Sequence, residues 1–205
     1  MEEEKLAITH ATVEAILPRF RIHYEEPDAI GRLADTIYAH LDLSRAYNVP
    51  WVLLCIGTDR STGDALGPLV GSKVAGAPDN PFHVYGTLSG PVHATNLKEK
   101  IQEITRRYRN AFIIAVDASL GHVDSVGVIS VGSGPLLPGA GVNKSLPPVG
   151  HLHITAVVNV GGFMEYVVLQ NTRLHVVMSQ AEVIAAALLE VAQKREAACA
   201  KSALP

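Results

Sequence analysis

The chain of 205 residues has few aromatic side chains and no long basic run, and both scarcities exclude nucleic acid as a partner. Phe, Trp and Tyr make up 5% of the residues, too few for a platform on which bases stack. The net charge is −3 and no basic run is longer than Arg106–Arg107, so the sequence has no electrostatic footprint for phosphate backbones. We therefore expect no nucleic-acid partner.

Cysteine, a secretory signal and a long apolar stretch are also lacking. The two cysteines, Cys55 and Cys199, do not make the disulfide framework of a secreted domain, and Cys55 is interpreted as a small core residue. The acidic start MEEEK differs from a signal peptide. The longest strongly apolar stretch, around 185–189, is shorter than a membrane span. These absences predict a cytoplasmic protein without membrane contact.

The composition supplies ample material for one buried core. Hydrophobic residues make up 48% of the chain and charged residues 18%, and the apolar side chains are mainly Val, Leu, Ile and Ala. This bias suits buried parallel strands covered by helices. The length fits a single domain. We expect one α/β domain over 28–197, preceded by an N-terminal arm, in part disordered, at 1–27 and followed by a tail at 198–205.

Hydrophobic patterns predict alternating strands and helices. Uninterrupted apolar runs predict strands buried on both faces at 51–56 and 111–116. Further strands are predicted at 83–88, 126–131 and 154–160, and helices at 30–41, 64–74, 97–108 and 174–192. The alternation predicts a three-layer α/β/α sandwich with a mostly parallel central sheet, in which the two buried strands are adjacent and parallel.

Polar side chains follow the predicted strands at their carboxyl ends, where open α/β sheets bind ligands. The loop 57–68 follows the first buried strand, and Asp117 directly follows the second. His93 follows the short strand 83–88 and precedes a helix. Because successive strands in such folds are often neighbours, we expect His93 to open onto the same crevice as Asp64 and Asp117.

The loop at 57–63 does not fit a nucleotide site. It is one residue too long for a phosphate-binding P-loop, and Asp64 stands where the lysine should be. An acidic residue there repels phosphate, and the glycine pattern of a dinucleotide-binding fold is missing as well. Both interpretations are rejected, and no cofactor is expected.

Structural alternatives remain open for both aspartates. Residues 61–64 spell a capping box, in which Ser61 caps a helix and Asp64 reaches back to its N–H. A carboxylate near a helix N-terminus gains about 0.3–1 kcal/mol. Asp117 ends an apolar run, where burial of an unpaired charge is costly, but an aspartate that begins a turn is the alternative.

The histidines do not predict a metal site. His93, His151 and His153 form no helical pair with metal-binding spacing. They are interpreted as surface histidines or hydrogen-bonded core histidines, and no metal ligand is assigned.

Six segments together suggest a family. They are GTDRSTGDALGP at 57–68, GTL at 86–88, PVHA at 91–94, VDASLG at 116–121, PGAGVNK at 138–144 and VNVGGFM at 158–164. In these segments the chain resembles the YyaC-type sporulation proteins of spore-forming bacteria over about residues 28–196. The resemblance implies a sporulation protein in the cytoplasm of the developing spore or the mother cell.

Three segments also resemble, more distantly, the germination protease that degrades small acid-soluble spore proteins. Its Asp-Ala-Leu-Gly-Pro segment matches 64–68, its second aspartate matches Asp117, and its Pro-Gly-Ser-Gly-Val loop is similar to 138–142. The resemblance implies an aspartic-type peptidase of phosphorylase/hydrolase-like fold with Asp64 and Asp117 as catalytic residues. Hydrogenase maturation endopeptidases share this fold, and in them acidic residues at comparable places bind nickel together with a histidine.

The first functional hypothesis is therefore a peptidase that acts on a peptide segment of another protein, such as a spore protein. One carboxyl group holds a proton while the other activates water. Backbone N–H groups of the loop at 57–63 stabilise the oxyanion. The side chains assigned to substrate binding or to the oxyanion are Thr58, Asp59, Thr62, His93, Asn143 and Lys144.

Two other hypotheses remain open. One is a non-catalytic sporulation protein that binds a partner, for which the Gly/Pro-rich segment 132–150 is suited. The other is a metal-binding endopeptidase of the maturation type. The sequence leaves a homo-oligomer open.

Overall fold

The structure, a computed structural model, describes residues 17–44, 46, 49–78, 80–139 and 146–202, with side chains described as far as Arg195. In this part of the chain the strands are β1 (Phe20–His23), β2 (Trp51–Cys55), β3 (Phe82–Tyr85), β4 (Phe112–Gly121), β5 (Val128–Ser133) and β6 (Leu152–Val160). The α-helices are α1 (Ala29–Leu43), α2 (Leu66–Ala75), α3 (Leu97–Arg107), α4 (Glu165–Gln170) and α5 (Leu174–Ser202). Short 3-10 turns lie at Gly63–Ala65 and Val123–Ser125.

The strands form one mixed sheet in the order β1-β5-β6-β4-β2-β3. Strands β6, β4, β2 and β3 are parallel, whereas β5 is antiparallel to β6 and β1 is antiparallel to β5. The predicted pairing of the two buried runs is confirmed, because β2 and β4 are parallel neighbours with Trp51 opposite Phe112 and Cys55 opposite Val116. Strand β1 lies in the stretch predicted as an arm.

Helices cover both faces of the sheet, so the predicted three-layer sandwich is confirmed. Every residue of β2 is buried, as its unbroken apolar run predicts. Trp51, Leu53 and Cys55 pack in one cluster with helices α1, α2 and α5. Val52 and Leu54 pack on the other face with α3. Cys55 is a core residue as predicted, and burial raises the pKa of its thiol.

Helix α5 is the apolar helix at the centre of the larger cluster. Its window Leu174–Arg195 has a mean hydropathy of 1.5 and is long and apolar enough, by length and composition, to cross a membrane. The apolar stretch is thus longer than the sequence analysis predicts. Val177, Ile184 and Leu188 are fully buried against α1, α2 and the sheet. Half of the apolar window is buried within the domain.

Glycines allow helix α2 to approach the carboxyl ends of β2 and β3 at backbone contact distance. A Cβ atom at Gly67 would collide with the carbonyl oxygen of Ile56, and one at Gly71 with that of Gly86. Gly86 itself has a φ of +89° and lies against the carbonyl oxygen of Cys55. The start of α2 is therefore fixed at the carboxyl edge of the parallel strands.

Candidate active site

Asp64 lies in the 3-10 turn Gly63–Ala65, immediately before helix α2. The Thr58 N–H donates a hydrogen bond of 3.1 Å to the carbonyl oxygen of Asp64. A Cβ atom at Gly57 would collide with the same oxygen. The loop that precedes Asp64 therefore closes tightly on the backbone of this residue and fixes its position at the end of β2.

The capping box predicted for Ser61 and Asp64 is not formed. The N-cap positions of the turn and of helix α2 are Thr62 and Ala65, and no side chain in the described part of the protein makes a capping hydrogen bond to either element. The Ser61 hydroxyl makes no hydrogen bond within the described residues. The interpretation of Asp64 as a helix cap is therefore wrong, because the chain enters α2 through a 3-10 turn in which the Ala65 N–H donates to the Thr62 carbonyl oxygen at 3.2 Å.

Asp117 lies within β4, whereas the sequence predicts that the strand ends at Val116. The strand continues to Gly121 because β6 supplies partners, with Asp117 opposite Thr155. A register shift between Ser119 and Leu120 comes before its end. Asp117 therefore does not begin a turn, and that alternative is wrong as well.

The two carboxyl groups lie close enough to influence each other electrostatically. The pKa of Asp117 is raised to about 8, mainly by burial and in part by the negative charge of Asp64. A hydrogen bond of 2.9 Å from the Ala118 N–H to the Asp117 carboxylate acts in the opposite direction and lowers this pKa. The pKa of Asp64 is raised as well, because the effect of burial is larger than the opposing effect of the Ser61 hydroxyl. Asp117 is therefore the carboxyl group that is better suited to hold a proton at neutral pH.

Three of the predicted substrate-binding residues share the loop before Asp64. The Thr58 hydroxyl accepts a hydrogen bond of 3.3 Å from the Arg60 N–H, which tightens the turn. Asp59 is exposed and Thr62 is partly buried. The loop brings all three close to Asp64 along the chain, and their role in substrate binding stays a prediction.

His93 lies at the carboxyl edge of the sheet. Val92 forms a parallel bridge with Ile56, and the Gly57 N–H donates to the Val92 carbonyl oxygen at 2.8 Å. His93 follows directly, and its Nδ1 shares a hydrogen bond of 2.8 Å with the Thr95 hydroxyl. The position agrees with the expected edge of the sheet, and a role in substrate binding stays a prediction.

The other predicted residues divide into two groups. Asn143 and Lys144, assigned to the oxyanion, lie outside the described residues. Two histidines take part in backbone hydrogen bonds, since His151 Nδ1 accepts from the Ile113 N–H at 3.0 Å and His153 Nδ1 lies 3.1 Å from the Gly134 carbonyl oxygen. Within the described ranges no group of three His, Cys, Asp or Glu side chains is placed to hold a metal ion.

The segment 132–150 begins in strand β5, and two backbone hydrogen bonds further along join its two ends. The Leu136 N–H donates to the Val149 carbonyl oxygen at 2.8 Å, and the reverse bond measures 3.0 Å. Leu136 and Val149 are buried against the sheet, whereas Leu137 is exposed. The two arms of this segment thus form part of the layer that covers one face of the sheet.

An exposed apolar surface on helix α4 and the turn before it was not predicted from the sequence. Phe163, Met164 and Tyr166 are 84%, 59% and 64% exposed, and Val167 beside them is also exposed. We refer to these four side chains as the 163–167 surface. A groove of about 470 Å³ runs beside it, lined by Asn159, Val160, Gly161, Phe163, Met164, Val167, Val168 and Asn171. The segment VGGFMEYVV contains the signal, namely bulky apolar residues directly after a glycine pair.

Helix α4 connects the 163–167 surface to the carboxylate pair. Its buried residue Leu169 packs against Gly63, where a Cβ atom would lie 2.7 Å from the leucine side chain. Gly63 begins the turn that carries Asp64, and this turn also contacts β4, the strand of Asp117. The apolar surface and the carboxyl groups therefore adjoin the same turn.

Comparisons with known proteins identify the family. Residues 21–187 match the family described as Protein of unknown function (DUF1256). The chain is 61% identical over 146 residues to Uncharacterized protein YyaC of Bacillus subtilis (strain 168), covering 71% of each protein. A NiFe hydrogenase maturation protease HycI from Thermococcus kodakarensis KOD1 is a similar solved structure, with 16% identity, a TM-score of 0.46 and coverage of 74% of this chain and 99% of that one. The chain therefore belongs to the DUF1256 family, and its resemblance to YyaC-type proteins is confirmed.

Proposed function

We propose that the protein is a peptidase in which Asp64 and Asp117 act as a carboxylate pair. The observation that carries the proposal is the proximity of the two groups, both of which have a raised pKa. Neither forms an ion pair with a cation within the described residues. Both residues are partly buried, and partly buried carboxyl groups without a cation, with a raised pKa, concentrate at functional sites.

In the proposed reaction Asp117 is the acid and Asp64 is the base. The protonated Asp117 donates a hydrogen bond to the carbonyl oxygen of the scissile peptide bond. The ionised Asp64 takes a proton from a water molecule while the water oxygen attacks the carbonyl carbon. The tetrahedral intermediate then collapses as the C–N bond breaks, and the leaving nitrogen receives the proton that Asp64 took from water, so that Asp64 is ionised again. Backbone N–H groups of the loop at 57–63, with Asn143 or Lys144, stabilise the oxyanion.

The proposed substrate is a segment of another polypeptide that carries bulky apolar side chains. Exposed apolar surfaces of this kind commonly bind partners. The 163–167 surface supports the assignment because helix α4 packs against the turn that carries Asp64. The resemblance to sporulation proteins and to the germination protease supports a spore protein as the substrate, in the cytoplasm of the developing spore or mother cell.

The test is incubation of the purified protein with a spore-protein extract, followed by labelling of new N-termini and mass spectrometry. We expect cleavage products with the wild type and none with Asp64→Asn or Asp117→Asn. Asp124→Asn, which changes an exposed carboxyl group on another turn, is the matched control and should cut normally. Cleavage by both Asp64→Asn and Asp117→Asn at the rate of the wild type would contradict the proposal.

A non-catalytic protein that binds a partner is the second candidate, since the 163–167 surface is exposed whether or not the carboxyl groups react. Binding of an extract protein by all variants, without any cleavage, would favour it. The metal-binding alternative requires a third ligand beside Asp64 and Asp117. Among the described residues no such group of ligands occurs.

A further inference from the structure

Ser61 has a buried hydroxyl group that the proposed mechanism does not use. The residue is 6% exposed, and its Oγ makes no hydrogen bond within the described residues. A buried hydroxyl without a partner costs free energy of folding, because the hydrogen bonds it made to water in the unfolded chain are lost. A hydrogen-bond acceptor for this hydroxyl in the working site would account for the presence of a serine at this position.

Ser61 belongs to the loop that closes on the backbone of Asp64. The loop is closed by the hydrogen bond from the Thr58 N–H to the Asp64 carbonyl oxygen, and Gly63 is held against Leu169. Ser61 is a buried residue of this closed loop, three residues before Asp64. Its hydroxyl is close enough to the Asp64 carboxyl group to lower the pKa of that group against the effect of burial.

The elements around the turn bring few competing charges to Asp64. Strand β4 brings the Asp117 carboxyl group, and α4 contacts the turn through the apolar Leu169. On α5, Glu182 pairs with Lys73 at 3.3 Å and Glu190 pairs with Lys194 at 3.0 Å. At the start of α5 the charged or titratable side chains Arg173 and His175 are exposed.

We propose that Ser61 is a positioning residue whose hydroxyl donates a hydrogen bond to the ionised Asp64 carboxylate and aims it at the attacking water. This role rests on the proposed peptidase function. The bond favours the ionised form of Asp64, because a carboxylate accepts hydrogen bonds with both oxygens. Ser61 thereby separates the roles of the two carboxyl groups and leaves the proton on Asp117.

The test compares Ser61→Ala with Ser133→Ala. Ser133 also has a buried hydroxyl without a partner among the described residues, but it pairs with Leu152 at the amino end of β6, away from Asp64. The pKa of Asp64 is measured by NMR titration of its carboxyl carbon, and kcat/KM is measured as a function of pH. For Ser61→Ala we expect a higher Asp64 pKa, a shift of the acid limb to higher pH, and about a tenfold loss of kcat/KM on that limb.

We expect Ser133→Ala to change neither quantity and Ser61→Thr, which keeps the hydroxyl, to restore both. Ser61→Cys has a similar shape with a weaker donor, and it replaces the alanine variant if that variant does not fold. An unchanged Asp64 titration in the folded Ser61 variants overturns the proposal. The titration does not require turnover, so an inactive wild type would refute the peptidase while the hydrogen bond is still tested.

Discussion

Asp64, in the turn before α2, lies close enough to Asp117 on β4 for its negative charge to raise the pKa of Asp117. The register of the sheet explains this proximity. Cys55 is opposite Val116, and the Ile56 N–H donates to the Val116 carbonyl oxygen at 2.7 Å. Val116, the residue before Asp117, is therefore paired with the last residue of β2, and the loop that leads to Asp64 begins directly after that residue.

The first prediction is energetic coupling between the two aspartates. At pH 9 both carboxyl groups are ionised, since Asp117 has a pKa of about 8, and each Asn substitution removes their mutual repulsion. A double-mutant cycle of Asp64→Asn and Asp117→Asn in denaturant unfolding should therefore give a coupling above about 0.5 kcal/mol. The coupling should decrease at pH 6, where Asp117 holds a proton. Additive effects at both pH values, with full activity in both variants, would end the carboxylate-pair hypothesis.

The second prediction concerns capping. Since no described side chain caps the turn or helix α2 with a hydrogen bond, Asp64→Ala should not lose the roughly 0.5–2 kcal/mol that removal of an N-cap costs. Relief of a partly buried carboxyl group without a cationic partner should leave the free energy of unfolding equal or higher. Urea unfolding of Asp64→Ala and Asp64→Asn measures it. A large loss in the alanine variant that the asparagine variant avoids would restore the cap interpretation.

The third prediction is that the free energy of unfolding decreases as pH rises from about 4 to about 8, between the pKa values of Asp117 in the unfolded and folded states. The pKa of Asp117 is about 8 in the folded protein against a reference of 3.8, so between these values the folded state binds more protons than the unfolded state. Its contribution is fully favourable below about pH 4 and is lost by about pH 8, at up to about 1.4 kcal/mol per pH unit.

The measurement is the difference in unfolding free energy between the wild type and Asp117→Asn from pH 5 to 9. The difference should shift in favour of the variant between pH 5 and about pH 8 and then level off. Asp124→Asn, at an exposed carboxyl group, is the control and should show no such trend. A constant difference for Asp117→Asn would mean that Asp117 ionises normally in the folded protein.

Sequence patterns predict the middle of the sheet well and its antiparallel edge poorly. Strands β2 and β4 follow from unbroken apolar runs, whose partners are fixed by the helical connections between them. Strand β1 spans only Phe20–His23 and exists because it pairs with β5, far along the chain. No local pattern reports such a pairing. The same cause hides the extension of β4 beyond Val116, since the partners of its last residues lie on β6.

The candidate site was predictable in its aspartates but not in its surroundings. The positions of Asp64 and Asp117 follow from the rule that ligands bind at the carboxyl ends of parallel strands. The local pattern at 61–64 indicates a capping box, but contacts with Gly57 and Leu169 determine the conformation of the loop. Short helix α4 has no long periodic pattern, and the bulky apolar residues after the glycine pair Gly161–Gly162 do not by themselves tell an exposed surface from a buried one.

The fourth prediction is that peptidase activity declines above about pH 8. The proposed mechanism requires a protonated Asp117, so kcat/KM should fall about tenfold per pH unit once this carboxyl group ionises. On the acid side, activity should fall as Asp64 becomes protonated. A pH profile with an identified peptide substrate measures both limbs. A rate that keeps rising to pH 10 would exclude Asp117 as the acid.

The fifth prediction concerns the 163–167 surface. Phe163→Ser and Tyr166→Ser remove exposed apolar area without opening a cavity in the core, so the fold should be retained. If this surface binds apolar side chains of the substrate, each variant should raise KM for a polypeptide substrate several-fold and leave kcat nearly unchanged, because the carboxyl groups are untouched. Ile30→Ser, at an exposed apolar side chain of α1, is the control and should keep the wild-type KM. If the Phe163 and Tyr166 variants match that control, the substrate does not bind at α4.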